Sequence, residues 1–320
     1  MADTWRFFSH WQNLLGLILV VFFIVVAVAA PWLSPQDPEN PGFFKSVGRF
    51  NDLQPRPPSD TAPLGTLPGQ LSVFHALVWG SRSALVFGVL VAVGAALIGS
   101  LVGALSAYFG GFLNKSLMAI TDGFLSFPII AGVVLIQQLI TTGLYNAGVR
   151  LWPGPWGQGP GQLILPEGPN QLIEMLNKID PILIAFILFS WMPYARIMNT
   201  IVQRVKRERY VEASRALGAG HNRLIFKHLI PNSINPIIVL GARDVGWMVL
   251  LQSTFSFIGM GDSSPWGMLL ARGRDWIITA GGMLTYWWVF LPATIALVLF
   301  GIGWNLLGDG LNDALNPRTR

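Results

Sequence analysis

The chain has 320 residues, 12% of them charged and 52% hydrophobic, with a formal net charge of +5. A water-soluble domain carries roughly 25% charged residues, so this composition leaves too little polar surface for a globule in water and places the chain among membrane proteins. Cysteine is absent, which excludes a disulfide framework and thiolate chemistry.

A helix needs about 20 mostly apolar residues to cross the hydrocarbon core, and six stretches qualify. The first is Leu14–Ala30. Arg6 and Ala27-Val28-Ala29 give it a superficial likeness to a cleavable signal. The apolar run is long for one, however, and Pro31 sits where cleavage would be hindered, so it reads as an uncleaved helix. A Pro-rich polar segment, 34–82, separates it from Leu85–Ala107, where Gly99 and Gly103 form a GxxxG pair. That pair marks either a close helix contact or merely the usual abundance of small residues in membrane helices.

Gly110 to Ser116 (GGFLNKS) lacks the spacing of a phosphate loop and reads as a turn before the third span. That span, Leu117–Ile140, carries Asp122 and is expected to kink at Pro128. Residues 141–180 contain PGPWGQGPG at 153–161, which is coil chemistry. Pro181–Tyr194 reaches spanning length if the helix continues past Pro193. Ile237–Phe257 is interrupted by Arg243 and Asp244. Gly259–Gly282 suggests a short interfacial or re-entrant element, and Leu284–Leu307 closes the set with Trp287, Trp288 and Trp304 near its ends.

Between Arg196 and Lys227 lie eight basic and two acidic residues, a local +6 that exceeds the whole chain's +5. The positive-inside rule assigns this stretch to the cytoplasm, and six spans then put both termini there too. Topology accounts for the charge without nucleic acid.

Residues 212–231 (EASRALGAGHNRLIFKHLIP) are neither span nor ordinary loop. Tyr210, Ala213 and Leu217 give a modest helical stripe, Gly218 and Gly220 stop that helix, and a second runs from about His221 to Leu229, ended by Pro231. The helix–turn–helix knob fits a groove on a cytoplasmic partner or, equally, the surface of anionic lipid.

The same stretch resembles the EAA loop of ABC importer permeases. Glu212, Ala213, Gly218 and Pro231 match its pattern, while Ser214, His228 and Ile230 depart mildly. Pro63-Leu64-Gly65-Thr66, Ser256 to Gly261 (SFIGMG), Ser264-Pro265-Trp266-Gly267, Asn305 to Leu311 (NLLGDGL) and Asp313 to Arg318 (DALNPR) extend the resemblance to the dipeptide/oligopeptide/nickel permease family, in its second-permease branch. The segment after Thr66 (LPGQLS) and the length of 141–180 depart from that pattern.

The resemblance implies an all-α membrane protein with six transmembrane helices and cytoplasmic termini, the ABC importer type I permease fold. Its organisation would be a first helix within 1–33, an external segment at 34–82 and a core at 83–320, with an external insertion at 141–180 and the coupling loop at 196–232. It also implies a multi-pass protein of the prokaryotic inner membrane. The chain would form half of a pathway for a small polar solute, above all di- and oligopeptides. Partners would be a second homologous permease, two cytoplasmic ATP-binding subunits that use ATP and Mg, an external solute-binding protein and the lipid bilayer.

Glu212 and Gly218 would shape and anchor the loop, Ala213 and Leu217 would pack into an ATPase cleft, and Ser214, Ala219, Gly220 and Pro231 would belong to the same ATPase-coupling site. Asp122, Arg243 and Asp244, as ionisable residues within spans, are the pathway candidates. Arg243 and Asp244 point about 100° apart on a helix and are poorly placed to pair with each other, though either could belong to a buried structural pair. No nucleophile–base motif is present, and the four histidines (His10, His75, His221, His228) are scattered, so neither a catalytic centre nor a metal site is expected. The rival readings are an ion-coupled secondary transporter using the intramembrane charges, and an importer for nickel chelates, glutathione or oligosaccharides.

Overall fold

In lipid every backbone N–H and C=O must be satisfied within the chain, so apolar segments of this length become helices. The computed structural model describes residues 8, 10–38, 41–49, 52–146, 180–260, 264–277 and 285–315, which are predominantly helical with one short hairpin. Arg6, the coil at 153–161 with most of the 141–180 connection, Gly261, Gly282, Leu284, and Asn316, Pro317, Arg318 and Arg320 lie outside them. Among the described residues, five helices are long and apolar enough to cross a membrane, and a sixth crossing is made if one bent pair is counted as a span.

α1 (Trp11–Leu33) extends the expected first span by three residues at each end. α2 (Val73–Phe109) has 37 residues, about 55 Å at 1.5 Å per residue, against a hydrocarbon core of about 30 Å. It begins twelve residues before the expected Leu85, with Ser72 Oγ accepting a bond from His75 N as its N-cap. His75 interrupts the apolar run in sequence but is buried, contacting Ser34 Oγ at 2.7 Å and Gly42 O at 3.1 Å. Trp79 Nε1 donates to Ser34 O at 2.8 Å. The first turns of α2 are therefore clothed by segment 34–72 rather than by lipid.

That segment ends in a hairpin, β1 (Thr66–Leu67) against β2 (Leu71–Ser72), with Thr66 opposite Ser72. Its turn uses Gly69 and Gln70, both with positive φ. Gln70 is buried, accepting from Thr66 Oγ1 at 3.2 Å and donating to Gln54 O at 2.9 Å. The LPGQLS stretch that departs from the family pattern is thus what makes the hairpin.

α3 (Gly111–Leu125) follows α2 through Gly110 and Gly111, both with positive φ; the turn expected over Gly110–Ser116 is confined to these two glycines, and the helix begins six residues before the expected Leu117. α4 (Ile129–Asn146) is turned 99° from α3, so the kink expected at Pro128 is a full break. α5 (Pro181–Ser190) and α6 (Met192–Val205) join through Trp191, whose backbone stays helical, giving a 25-residue crossing that passes Pro193. Segment 206–234 carries α7 (Arg209–Ala216), α8 (His221–Arg223), a π-helical stretch (Leu224–Leu229) and α9 (Ile230–Ser233). α10 (Asn235–Phe257), α11 (Pro265–Ile277) and α12 (Trp287–Leu315) complete the bundle. α11 is the short element expected within 259–282, and its 13 residues, about 20 Å, are too few to cross.

Helices approach closely where one of them is glycine. Gly99 and Gly103 face α6, where a Cβ on Gly103 would stand 2.9 Å from Met198 Cβ. The GxxxG pair is therefore a helix contact. Gly16 and Gly303 do the same between α1 and α12. Phe23, Trp266 and Phe300 pack edge to face at 5.2–5.7 Å, tying α1, α11 and α12 together. Trp266 Nε1 donates to Leu77 O on α2.

Candidate functional site: a capped loop and three charged contacts

α7 ends in a glycine-capped turn. Gly218 has φ +83, its N–H bonds Arg215 O at 2.9 Å, and Ala219 N–H reaches back to Ser214 O at 3.1 Å. This is the Schellman arrangement, in which a left-handed residue closes the last carbonyls of a helix. Gly220 does not share that role as expected: its φ of −69 is open to any residue, and it caps α8 instead. Nor does Pro231 end the second helix. It sits in the first turn of α9, where a missing N–H costs little, and the helix runs on to Ser233.

Val211, Leu224, Ile225 and Leu229 are buried at the base of the loop, packed with Tyr194, Met198 and Val202 of α6. The wider π turn brings Leu224, Ile225 and Leu229 to that one side. Two polar links fasten the loop to α2: Tyr108 OH lies 2.6 Å from His221 Nδ1, and Lys206 Nζ donates to Ala107 O at 2.6 Å. Ser214 Oγ and His228 Nε2 stand 3.4 Å apart between the loop's two helices, and Ala219 packs against the base.

On the opposite side Leu217 is 89% exposed, with Phe226 and Tyr210 also exposed. Glu212, Ala213, Arg209, Arg215, Arg223 and Lys227 surround them in solvent. The site is an apolar tip with a mostly basic rim on a fixed base.

Removing the Tyr108–His221 bond should loosen only the loop. Tyr108→Phe is expected to speed amide exchange in residues 208–229 about fivefold, the equivalent of roughly 1 kcal/mol for one hydrogen bond, and leave α10 and α12 unchanged. Hydrogen exchange with mass spectrometry reads this directly.

The three charged candidates occupy three separate contacts. Arg243 pairs with Asp309 of α12. Asp244 accepts a hydrogen bond from Tyr194 OH of α6 at 2.7 Å. Asp122 lies 3.1 Å from Arg196 of α6. Arg243 and Asp244 do not pair with each other, and both bind neighbouring helices. Sequence reasoning missed Tyr194, Asp309 and Arg196 as partners, because each lies at least 50 residues from the charge it meets.

The Tyr194–Asp244 contact predicts an asymmetry. Tyr194→Phe leaves a half-buried carboxyl group short of its donor and is expected to destabilise the protein by about 1–2 kcal/mol. The double variant Tyr194→Phe with Asp244→Leu should regain part of that loss. Thermal unfolding in detergent distinguishes the two.

The helical bundle, the glycine-seated helix contacts and the projecting loop define a multi-pass membrane protein of the transport class. Residues 95–320 match the family described as binding-protein-dependent transport system inner membrane component, and residues 1–55 match the N-terminal TM domain of oligopeptide transport permease C. The chain belongs to this family of inner-membrane ABC transporter permeases, with the type I permease fold. It is 29% identical over 98% of its length to the oligopeptide transport system permease protein OppC of Bacillus subtilis, covering 88% of that protein. It is 30% identical to the dipeptide transport system permease protein DppC of Bacillus subtilis, with 99% and 86% covered. Similarity to the glutathione transport system permease protein GsiD of Pectobacterium atrosepticum is 26% over 99% and 91%.

Proposed function

We propose that this chain forms half of the translocation pathway of an ATP-driven importer of di- and oligopeptides, and that segment 206–233 couples it to an ATP-binding subunit. A second homologous permease completes the pathway. Two ATP-binding subunits use ATP and Mg on the cytoplasmic side, where the loop and both termini lie, and a solute-binding protein delivers peptide at the hairpin end. ATP hydrolysis takes place in the partners.

The observation that carries the reading is the exposed Leu217 at the tip of a loop whose opposite side is locked to α2 and α6. A free apolar tip on a rigid base transmits displacement, because the packed base moves with the helices it joins. Relatives named for oligopeptide and dipeptide transport support peptides as the substrate class. The secondary-transport alternative loses its main motive, since Arg243 and Asp244 are each engaged by a neighbouring helix.

The test is peptide uptake into proteoliposomes holding the assembled complex. Uptake that requires both ATP hydrolysis and the binding protein is expected. Uptake driven by an ion gradient without ATPase subunits would contradict the proposal.

A further inference from the structure

The exposed side of α6 is polar, unlike the sides other helices turn outward. α2 exposes Val86, Val89, Leu90, Val93, Leu97 and Leu101, a stripe suited to lipid. α6 exposes Arg196, Thr200 and Arg204, with half-buried Gln203 beside them, while Tyr194, Ala195, Met198 and Val202 are buried on its other side. Spacings of four residues put the exposed three on one line along the helix. Charged side chains within a span face a water-filled cavity or the bundle interior rather than hydrocarbon.

The upper end of this line meets Asp122 of α3. Arg196 Nη1 lies 3.1 Å from Asp122 Oδ1, and the side chains are 58% and 46% exposed. Asp122 Oδ1 is itself buried against this contact, while Oδ2 accepts a long bond from Arg196 Nη2 at 3.5 Å, so the pair must part before either group meets another charge. Asp122 is eleven residues from the start of α3 and Arg196 nine from the end of α6, about 17 Å and 14 Å along their axes. Both therefore stand inside their helices. Next to Asp122, Gly123 has open space where a side chain would project.

We propose that the polar line of α6, with Asp122 of α3, lines the aqueous pathway, and that the Asp122–Arg196 pair opens to receive the two termini of a zwitterionic peptide. Asp122 takes the ammonium group and Arg196 the carboxylate, which its planar guanidinium can hold by two parallel bonds. Exchanging one internal ion pair for two pairs with the peptide leaves no net charge at this contact in either state. The inference rests on the importer reading above.

The test uses the complete complex in proteoliposomes with trialanine, N-acetyl-trialanine and trialanine amide, each variant normalised to wild type for the same peptide so that selection by the binding protein cancels. Arg196→Gln is expected to lower uptake of trialanine and its N-acetyl form at least tenfold, and of the amide less than twofold. Asp122→Asn should spare the N-acetyl form instead. The chain has no native cysteine, so water access is measured independently. Gly123→Cys and Thr200→Cys should react with a membrane-impermeant methanethiosulfonate at least tenfold faster than Leu97→Cys on the lipid-facing stripe.

Equal losses for all three peptides overturn the assignment, as does labelling no faster than at Leu97→Cys. Failure of both charge variants to co-purify with the partner permease also overturns it, placing the pair at a subunit contact. A wild-type complex that carries no peptide with ATP overturns the importer reading itself, and is seen before any substitution is made.

Discussion

Leu217→Asp is expected to cut ATP-driven uptake at least tenfold while the protein still inserts, folds and holds its partner permease. Leu217 is 89% exposed, so the substitution removes almost no contact within the chain, and surface changes of this kind shift stability by about 0.5 kcal/mol or less. Its burial in a partner's cleft is a different matter. Burying a leucine side chain is worth about 1.5–3 kcal/mol, and a carboxylate in the same place adds a desolvation cost. That is a loss of at least tenfold in docking. Gly218→Pro should uncouple transport through the backbone, because φ +83 is closed to proline, whose ring fixes φ near −65°. Glu212→Arg adds a third route, placing a cation in the first turn of α7, where the helix dipole favours an anion. Peptide uptake and ATPase activity, measured side by side in proteoliposomes, check all three.

Gly103→Leu is expected to act on the fold. A Cβ at Gly103 would collide with Ala195 O and stand 2.9 Å from Met198 Cβ and 3.0 Å from Asn199 N. These are atoms of a helix backbone and its branch points, which cannot swing aside. α2 and α6 would have to separate. Their polar seam would open too, since Asn199 Nδ2 donates to Ser106 Oγ at 2.6 Å across it, and its bond to Asn114 Oδ1 of α3 at 2.7 Å would be strained with it. Overpacking costs about 1–3 kcal/mol, and the loss of buried hydrogen bonds adds to it. A fall of roughly 6–10 °C in Tm in detergent is expected. Gly123→Leu is the control. It lies in α3 with nothing within 4 Å of the added Cβ, and should leave Tm within about 2 °C.

What the sequence disclosed divides along physical lines. The span over Leu14–Ala30 was legible because its exposed and buried faces are both apolar. The turn at Gly110 and the cap at Gly218 were legible because only glycine takes left-handed backbone without strain. The start of α2 was not, because hydropathy counts His75, Ser81 and Arg82 as wet, whereas segment 34–72 covers the first of these turns. Pro128 announced a kink, but a proline in the sequence does not specify its size, which is a 99° break. The π stretch at Leu224–Leu229 has no compositional mark, so the helix appeared to end at Pro231.

The candidate site was legible to different depths. Glu212, Ala213 and Leu217 could be named from spacing and resemblance. The exposure of Leu217 against the burial of Val211 required the fold, because both are ordinary aliphatic residues. Among the charges, Asp122, Arg243 and Asp244 stood out by location, but their partners did not. Arg196 was counted only as part of the basic cluster that orients the chain. Its pairing with Asp122 arises where α3 and α6 pack, 74 residues apart.

The central claim is that the tip of segment 206–233 seats in an ATP-binding subunit. Its most direct test replaces Leu217 with the photo-reactive residue p-benzoylphenylalanine in cells that make the whole complex, followed by irradiation and mass spectrometry of the adducts. A covalent adduct with an ATP-binding protein, lost when Gly218→Pro is also present, is the expected result. Adducts to lipid alone, with no ATP-binding protein recovered, would contradict the account and return the loop to the membrane surface.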